Sequence, residues 1–178
     1  MLSLIFGGRR SGKSGWAERR ALSSSRQELI YLATCRPLDA GMNERVRLHQ
    51  QRRAAHPRAW IVREEPIHLA ACLEKTALAS ADCLVLLDCL SLWLANLMEN
   101  HNDQEIAAEA DKLIAAMQNF NGDILVVSNE VGLGVAPSTE AGNRFIDLAG
   151  ILNQKIAHVA DEVIFIAAGF PLYLKKKE

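Results

Sequence analysis

A glycine-rich segment directly after a short apolar run constrains this sequence more than any other feature. The apolar run is Leu2–Phe6, and the segment that follows it, Gly7–Ser14 (GGRRSGKS), fits the pattern G-x-x-x-x-G-K-[ST]. Glycines let the backbone turn so that its N–H groups point at phosphate oxygens, and the helical pattern of Gly15–Leu22 places a helix N-terminus behind them. The chain is therefore predicted to fold as strand, loop and helix around the phosphates of a nucleotide.

The residues of this phosphate loop (Gly7–Ser14) have separate predicted roles. Lys13 has the reach to contact the β- and γ-phosphates, and the Ser14 hydroxyl is a predicted ligand of Mg²⁺. A chance glycine-rich turn is the alternative, and it is disfavoured because the motif lies between an apolar run and a helical pattern. The predicted nucleotide contacts in the loop are Gly7, Gly8, Arg9, Arg10, Ser11, Gly12, Lys13 and Ser14.

Apolar runs alternate with helical patterns along the rest of the chain. The predicted strands are Leu2–Phe6, Leu29–Ala33, Trp60–Val62, Cys83–Cys89, Ile124–Ser128 and a last one at Val163–Ala167. The predicted helices are Gly15–Leu22, His68–Ala79, Leu90–Met98, Gln104–Asn119 and Ser138–His158. With the phosphate loop after the first strand, this alternation predicts an α/β, three-layer P-loop NTPase fold of the RecA-like type. Its central sheet is mostly parallel with helices on both faces, and residues 1–178 form a single domain.

Polar residues follow several of the predicted strands. Thr34 and Cys35 come after the second strand, Asp88 closes the fourth, and Asn129 and Glu130 follow the fifth. In an open α/β sheet, ligands bind outside the carboxyl ends of the strands. A lone aspartate at a strand end is a weak signal, but beside a phosphate loop it has the form of the acid that is linked to Mg²⁺. Ser14 and Asp88 are therefore the predicted metal-side residues.

A basic segment, Met42–Arg58 (MNERVRLHQQRRAAHPR), stands out in a chain with a formal net charge of −1. Arg45, His49 and Arg52 have the spacing that places them on one face of a helix. A solvated basic helix and a surface that contacts the triphosphate are both compatible with these residues alone.

The rest of the composition excludes several classes of function. The formal net charge of −1 gives no electrostatic case for nucleic-acid binding, and Lys175–Lys177 is interpreted as a solvated tail. No apolar stretch has the length of a membrane span. The four cysteines form no C-x-x-C pair, which predicts reduced thiols in a cytoplasmic protein.

The sequence resembles one family over nearly its whole length: the bifunctional adenosylcobinamide kinase/adenosylcobinamide-phosphate guanylyltransferases of cobalamin synthesis. The phosphate loop alone is generic, whereas a histidine within an arginine-rich helix followed by an SNEVG segment is far more specific. The segments that carry the likeness are GGRRSGKS, YLAT, RVRLHQQRR, WIVREEP, LLDCLSLWLANL, VSNEVGLGVAP, NRFIDLAGILNQKIAHVADEV and AGFPLYLK. Ser91 stands where the family commonly has threonine and retains the hydroxyl.

This resemblance implies a two-step enzyme. ATP or GTP first phosphorylates the aminopropanol hydroxyl of adenosylcobinamide. A histidine then attacks the α-phosphate of GTP, and the resulting guanylyl group passes to the substrate phosphate to give adenosylcobinamide-GDP. By this resemblance the guanylylated histidine is His49, the metal-side acid is Asp88 and the acid that contacts guanosine is Glu64. Further nucleotide contacts implied by the resemblance are Ala33, Thr34, Cys35, Gln50, Gln51, Arg52 and Arg53.

The chemistry of the basic segment agrees with the implied role. A histidine nucleophile must be neutral, and neighbouring arginines depress its pKa by like-charge repulsion while they neutralise charge on the transferring phosphoryl group. The family resemblance also implies a homotrimer. Candidate contacts with the corrinoid are Asn129, Glu130 and Arg144. The alternatives are a monofunctional P-loop kinase without a histidine intermediate and a nucleotide-gated binding module.

Overall fold

A mostly parallel β-sheet lies at the centre of the computed structural model, which describes residues 1–36, 44, 47, 51, 56, 58–80 and 82–176. Within these residues the sheet has seven strands in the order β3-β2-β4-β5-β1-β6-β7. The strands are β1 (Leu2–Gly7), β2 (Glu28–Ala33), β3 (Trp60–Glu64), β4 (Cys83–Asp88), β5 (Asp123–Asn129), β6 (Glu162–Ala167) and β7 (Phe170–Lys175). The helices are α1 (Lys13–Leu22), α2 (Leu69–Ala79), α3 (Leu90–Met98), α4 (Asp103–Gln118) and α5 (Glu140–Val159).

The predicted three-layer arrangement is confirmed. Helix α1 packs on one face of the sheet, where Ala17 and Ala21 join the core formed by alternate residues of the strands. Helices α2 to α5 cover the other face, and their core is centred on the fully buried Trp93. The interior strand β4 is apolar and buried from Cys83 to Leu87, because parallel strands covered on both faces bury their side chains on both sides.

One strand differs from the sequence prediction. Residues after Ala167 were expected to follow the last strand, whereas Phe170–Lys175 forms β7, which pairs antiparallel with β6. Ala168 and Gly169 make the turn with φ of 51° and 86°, the positive values that a tight hairpin requires. Pro171 is tolerated because β7 is an edge strand. Lys175 belongs to this strand, and its Nζ donates to the carbonyls of Ala157 and His158 at the end of α5.

Helix α3 joins the carboxyl ends of several strands, and we call this set of contacts the strand-end junction. The buried Thr34 Oγ1, just after β2, donates to the Cys89 carbonyl at 2.8 Å and accepts from Cys89 N at 2.9 Å. Asn96 Nδ2 donates to the carbonyls of Thr34 and Pro66, at 2.9 and 3.1 Å. Ser91 Oγ accepts from Asn129 N at the end of β5. The junction therefore fixes the positions at which β2, β4 and β5 end.

No helix among the described residues has the length and apolar character needed to cross a membrane.

The strand-end junction makes a stability prediction. Asn96→Ala removes the donor from two carbonyls in the interior, so we expect the free energy of unfolding to fall by about 1–3 kcal/mol. Urea denaturation measures this change. Asn100→Ala, at an exposed residue beyond the same helix, is the matched control and should change stability by less than about 0.5 kcal/mol. Equal effects from the two variants would contradict a structural role for Asn96.

Candidate nucleotide-binding site

The phosphate loop adopts a conformation that its glycines permit. A Cβ on Gly7 would overlap the carbonyl oxygen of Ile166 on the neighbouring strand β6. Gly12, the residue before α1, has φ of 94°, in the left-handed region that favours glycine. The loop thus turns tightly against β6 and leads its backbone into the N-terminus of α1, the arrangement that binds phosphate.

Lys13 begins α1 and is 8% exposed. Its Nζ donates to the Gly8 carbonyl at 3.2 Å, across the turn of the loop. Burial lowers the pKa of Lys13 below its ordinary value, and the nearby Asp88 carboxylate acts in the opposite direction. A phosphate group at the loop would add negative charge beside this buried ammonium and favour its charged form.

The hairpin between β6 and β7 contacts the phosphate loop. Gly169 N donates to the Ser11 carbonyl at 2.8 Å, and a Cβ on Gly12 would lie 3.3 Å from Gly169 Cα. Ser11 Oγ is buried and has no hydrogen-bond partner among the described residues. Sequence reasoning missed this support for the loop. Gly169 between two apolar segments was the available sequence signal for a hairpin, but nothing in the local sequence indicates its contact with the distant Ser11.

Asp88 ends β4 at the same edge of the sheet. Tyr31, on the adjacent strand β2, donates a hydrogen bond from its hydroxyl to Asp88 Oδ2 at 2.9 Å. The Tyr31 ring packs edge-on against Trp60 of β3, with ring centroids 5.9 Å apart. This bond fixes the direction of the carboxylate. Tyr31 was not among the predicted site residues because nothing in its local sequence indicates a partner on another strand.

The donor set near the phosphate loop fits a hard divalent cation. Ser14 offers a hydroxyl in the first turn of α1, and Asp88 offers a carboxylate; both are oxygen ligands of the kind that Mg²⁺ prefers. No group of three or more His, Cys, Asp or Glu side chains placed to hold a metal occurs in the part of the chain that the structure describes. A hydroxyl and a single carboxylate are the few protein ligands that suit Mg²⁺, which usually keeps several water ligands and also binds the phosphates of the nucleotide.

Cys89 follows Asp88 directly and is fully enclosed. Burial raises the pKa of its thiol to about 12, so this group is neutral at pH 7. A protonated thiol is a poor nucleophile, which assigns Cys89 to the packing beneath the site rather than to its chemistry.

Other predicted nucleotide contacts lie at the carboxyl ends of β2 and β3. Ala33 is paired with both Asp88 and Glu64, so these residues form a row across neighbouring strand ends. Glu64 is exposed, and Cys35 is half-buried. The Thr34 hydroxyl is committed to Cys89, and the predicted contact of this segment with nucleotide stays a prediction.

Most of the basic segment lies outside the described residues, including His49, Gln50, Arg52 and Arg53. Gln51 is described as an exposed helical residue. Arg58 has a structural role, since its guanidinium donates to the carbonyls of Leu22, Ser24 and Arg26 in the turn after α1.

The three candidate corrinoid residues are not equivalent. Asn129 pairs with Gly7 in the sheet, and Glu130 N donates to the Gly7 carbonyl at 3.0 Å, so both adjoin the phosphate loop. Arg144 instead donates to Asp103 Oδ1 at 2.7 Å and to the His101 carbonyl at 3.2 Å. The structure therefore brings Asn129 and Glu130 to the site and commits the Arg144 guanidinium to an ion pair with α4.

Comparison of the fold with solved structures agrees with this description. The chain matches a protein of Pyrococcus horikoshii OT3 with a TM-score of 0.59 and 11% identity, covering 99% of this chain and 87% of the other. It also matches the flagellar accessory protein FlaH of Methanocaldococcus jannaschii, with a TM-score of 0.51 and 15% identity over 99% and 78% of the two chains. At these identities the likeness shows the fold alone.

Comparison of the sequence identifies closer relatives. The bifunctional adenosylcobalamin biosynthesis protein CobP of Pseudomonas aeruginosa is 44% identical over 98% of each chain. The proteins named CobU from Escherichia coli and Salmonella typhimurium are 34% and 35% identical, over 98% of this chain and all of theirs. The family model described as cobinamide kinase / cobinamide phosphate guanyltransferase matches residues 3–174.

These matches confirm the resemblance recognised in the sequence motifs and support the bifunctional interpretation over a monofunctional kinase. The protein is an enzyme with cobinamide kinase and cobinamide-phosphate guanylyltransferase activities, and nucleotides are its substrates. With its phosphate loop, strand-end carboxylate and whole-chain match, this chain belongs to the cobinamide kinase / cobinamide phosphate guanyltransferase family.

Proposed function

We propose that the enzyme performs both reactions at one phosphate site. In the second reaction, the guanylyl transfer, His49 is the nucleophile and guanylylated His49 is the covalent intermediate. The observation that carries this proposal is the phosphate loop, in which the buried Lys13 lies near Asp88 in a chain of this family. In the kinase step, the aminopropanol hydroxyl of adenosylcobinamide attacks the γ-phosphate of ATP or GTP and displaces the nucleoside diphosphate. The loop amides and Lys13 stabilise the charge on the transferring group.

The guanylyl step is a double displacement. A nitrogen of neutral His49 forms a bond to the α-phosphorus of GTP while the bond to pyrophosphate breaks. An oxygen of the substrate phosphate then attacks the same phosphorus, the phosphorus–nitrogen bond breaks, and adenosylcobinamide-GDP is released. The intermediate splits one difficult transfer into two easier ones. We propose that Gln50, Gln51, Arg52 and Arg53 contact the triphosphate, that Ala33, Thr34 and Cys35 border it, and that Glu64 contacts guanosine.

Mg²⁺ is proposed as the metal, held on the protein side by Ser14 and Asp88. When bound, such an ion neutralises charge on the phosphates and orients them. Tyr31 supports Asp88 from the neighbouring strand through its hydroxyl. Asn129 and Glu130 are proposed contacts of the corrinoid; Arg144 is a third, which would have to leave its ion pair with Asp103 to reach the ligand.

The proposed assembly and setting follow the family resemblance and the cysteines. We propose a homotrimer of single domains, each comprising residues 1–178, that works in the cytoplasm. The free thiols of Cys72, Cys83 and Cys89 support a reducing compartment.

Labelling tests the histidine. After incubation with Mg²⁺ and GTP labelled at the α-phosphate, the wild-type protein should carry acid-labile label and His49→Ala should carry none. His56→Ala is the matched control, because His56 is an exposed histidine of the same basic segment whose Nδ1 accepts from Arg58 N. Label on His49→Ala at the wild-type level would refute the assignment.

Lys13→Ala tests the shared site. Loss of a preorganised charge at the phosphates should reduce kcat of both the kinase and the guanylyltransferase by about 10²–10³-fold. Lys75→Ala, at an exposed lysine of α2, should leave both rates near wild type. A Lys13→Ala enzyme that loses one activity and keeps the other would show that the reactions use separate phosphate sites.

Tyr31→Phe tests the support of Asp88. Without the hydroxyl the carboxylate is less well oriented, so the Mg²⁺ concentration for half-maximal activity should rise by about 10-fold, with kcat at saturating Mg²⁺ largely kept. Binding of Mn²⁺ to the nucleotide complex, followed by electron paramagnetic resonance, gives a readout independent of turnover. Tyr173→Phe on β7 is the control. Unchanged metal dependence in Tyr31→Phe would exclude the role.

A further inference from the structure

A cavity of about 490 Å³ lies beside the phosphate loop, between α5 and the loop that follows β5. Its loop side is formed by Glu130 and Val131, and its helix side includes Ile146, Asp147, Gly150 and Asn153. We call it the acceptor cavity. One of its lining residues adjoins the nucleotide site, because Glu130 N donates to the carbonyl of Gly7, the first residue of the phosphate loop.

The polar groups of this cavity include several hydrogen-bond acceptors. Asn153 is 9% exposed, and its Nδ2 donates to the Asn129 carbonyl at 3.2 Å, which fixes the orientation of the amide. Its Oδ1 is buried and has no hydrogen-bond partner within the described chain. A buried acceptor of this kind is normally satisfied, and a small movement of the Asn153 side chain would let an N–H or O–H group of a ligand in the cavity donate to it.

The charge of the cavity is opposite to that of the phosphate loop. Glu130 and Asp147 place two carboxylates on its walls, and Glu130 Oε1 already accepts from Gly132 N at 2.6 Å. Carboxylates repel phosphate, so the triphosphate is confined to the side where the loop amides and Lys13 lie. The apolar walls at Val131 and Ile146 suit a ligand that is large, donor-rich and without negative charge.

We propose that the acceptor cavity binds the carboxamide-bearing edge of the corrin ring of cobinamide. This inference rests on the proposed function, in which the corrinoid accepts the phosphoryl and guanylyl groups. The corrin periphery carries primary carboxamides whose N–H groups are donors, and its cobalt centre is cationic. A cavity of this volume holds one edge of the ring, while the aminopropanol arm extends toward the nucleotide. Guanine also presents N–H donors, so the experiment must separate the two ligands.

Gly150 provides a way to fill the cavity without disturbing the backbone. It lies within helix α5, and a Cβ built on it meets no atom within 4 Å. Gly150→Phe should therefore fold, occupy the cavity and weaken cobinamide binding by at least about 10-fold, measured by equilibrium dialysis of the coloured corrinoid. Gly150→Ala is the matched control; it adds one methyl group, improves helix propensity and should bind cobinamide nearly as the wild type does.

A second measurement separates the corrinoid from guanine. Labelling of the enzyme by α-labelled GTP needs no corrinoid, so Gly150→Phe should keep the wild-type dependence on GTP. Unchanged cobinamide binding in Gly150→Phe would overturn the proposal, and so would a shift confined to the GTP dependence, which would assign the cavity to guanine. If Gly150→Phe does not fold, the Asp147→Asn variant tests whether the cavity binds cobinamide. It removes one exposed charge, and it should raise the cobinamide dissociation constant severalfold with labelling unchanged.

The proposed function fails in a different way. A wild-type protein that binds cobinamide but acquires no label from GTP would refute the histidine intermediate and leave the assignment of the cavity intact. A wild-type protein that labels normally, with cobinamide binding insensitive to both cavity variants, would refute the cavity and leave the proposed function intact.

Discussion

Hydrogen bonds from α3 to the backbone at the strand ends hold together the edge of the sheet on which the site is built. Parallel strands bring their carboxyl ends to one edge, but the chain leaves each of them in a different direction. Thr34, Ser91 and Asn96 connect these departing segments through short hydrogen bonds to backbone groups. Asp88 directly precedes Cys89, which is bonded to Thr34, so these hydrogen bonds help to fix the position of Asp88.

The site that results has two sides of opposite character. On the α1 side, backbone N–H groups and Lys13 provide donors and positive charge. On the α5 side, Glu130, Asp147 and Asn153 provide acceptors and negative charge. The ends of β1 and β5 form the boundary, where Gly7 pairs with Asn129. This separation suits an enzyme with two substrates. The α1 side attracts the anionic nucleotide and repels a cationic corrinoid, and the α5 side does the reverse.

The sequence predicted the features that depend on local pattern. The phosphate loop, the strand that ends at Asp88 and the polar residues after β5 follow from hydrophobic periodicity and from one motif. Other features depend on residues far apart in the chain and have no local signal: the Tyr31–Asp88 bond, the commitment of Arg144 to Asp103, and the contact of Gly169 with Ser11. Strand β7 was missed because Pro171 interrupts its pattern, which an edge position tolerates.

The contact between the β6–β7 hairpin and the phosphate loop has a consequence for biosynthesis. Strand β1 is the first strand of the sheet in chain order, yet it lies between β5 and β6, and its loop is braced by Gly169. The segment that holds phosphate therefore takes its final form only after more than nine-tenths of these residues have been translated. Formation of the phosphate loop is therefore coupled to the folding of the last hairpin of the sheet.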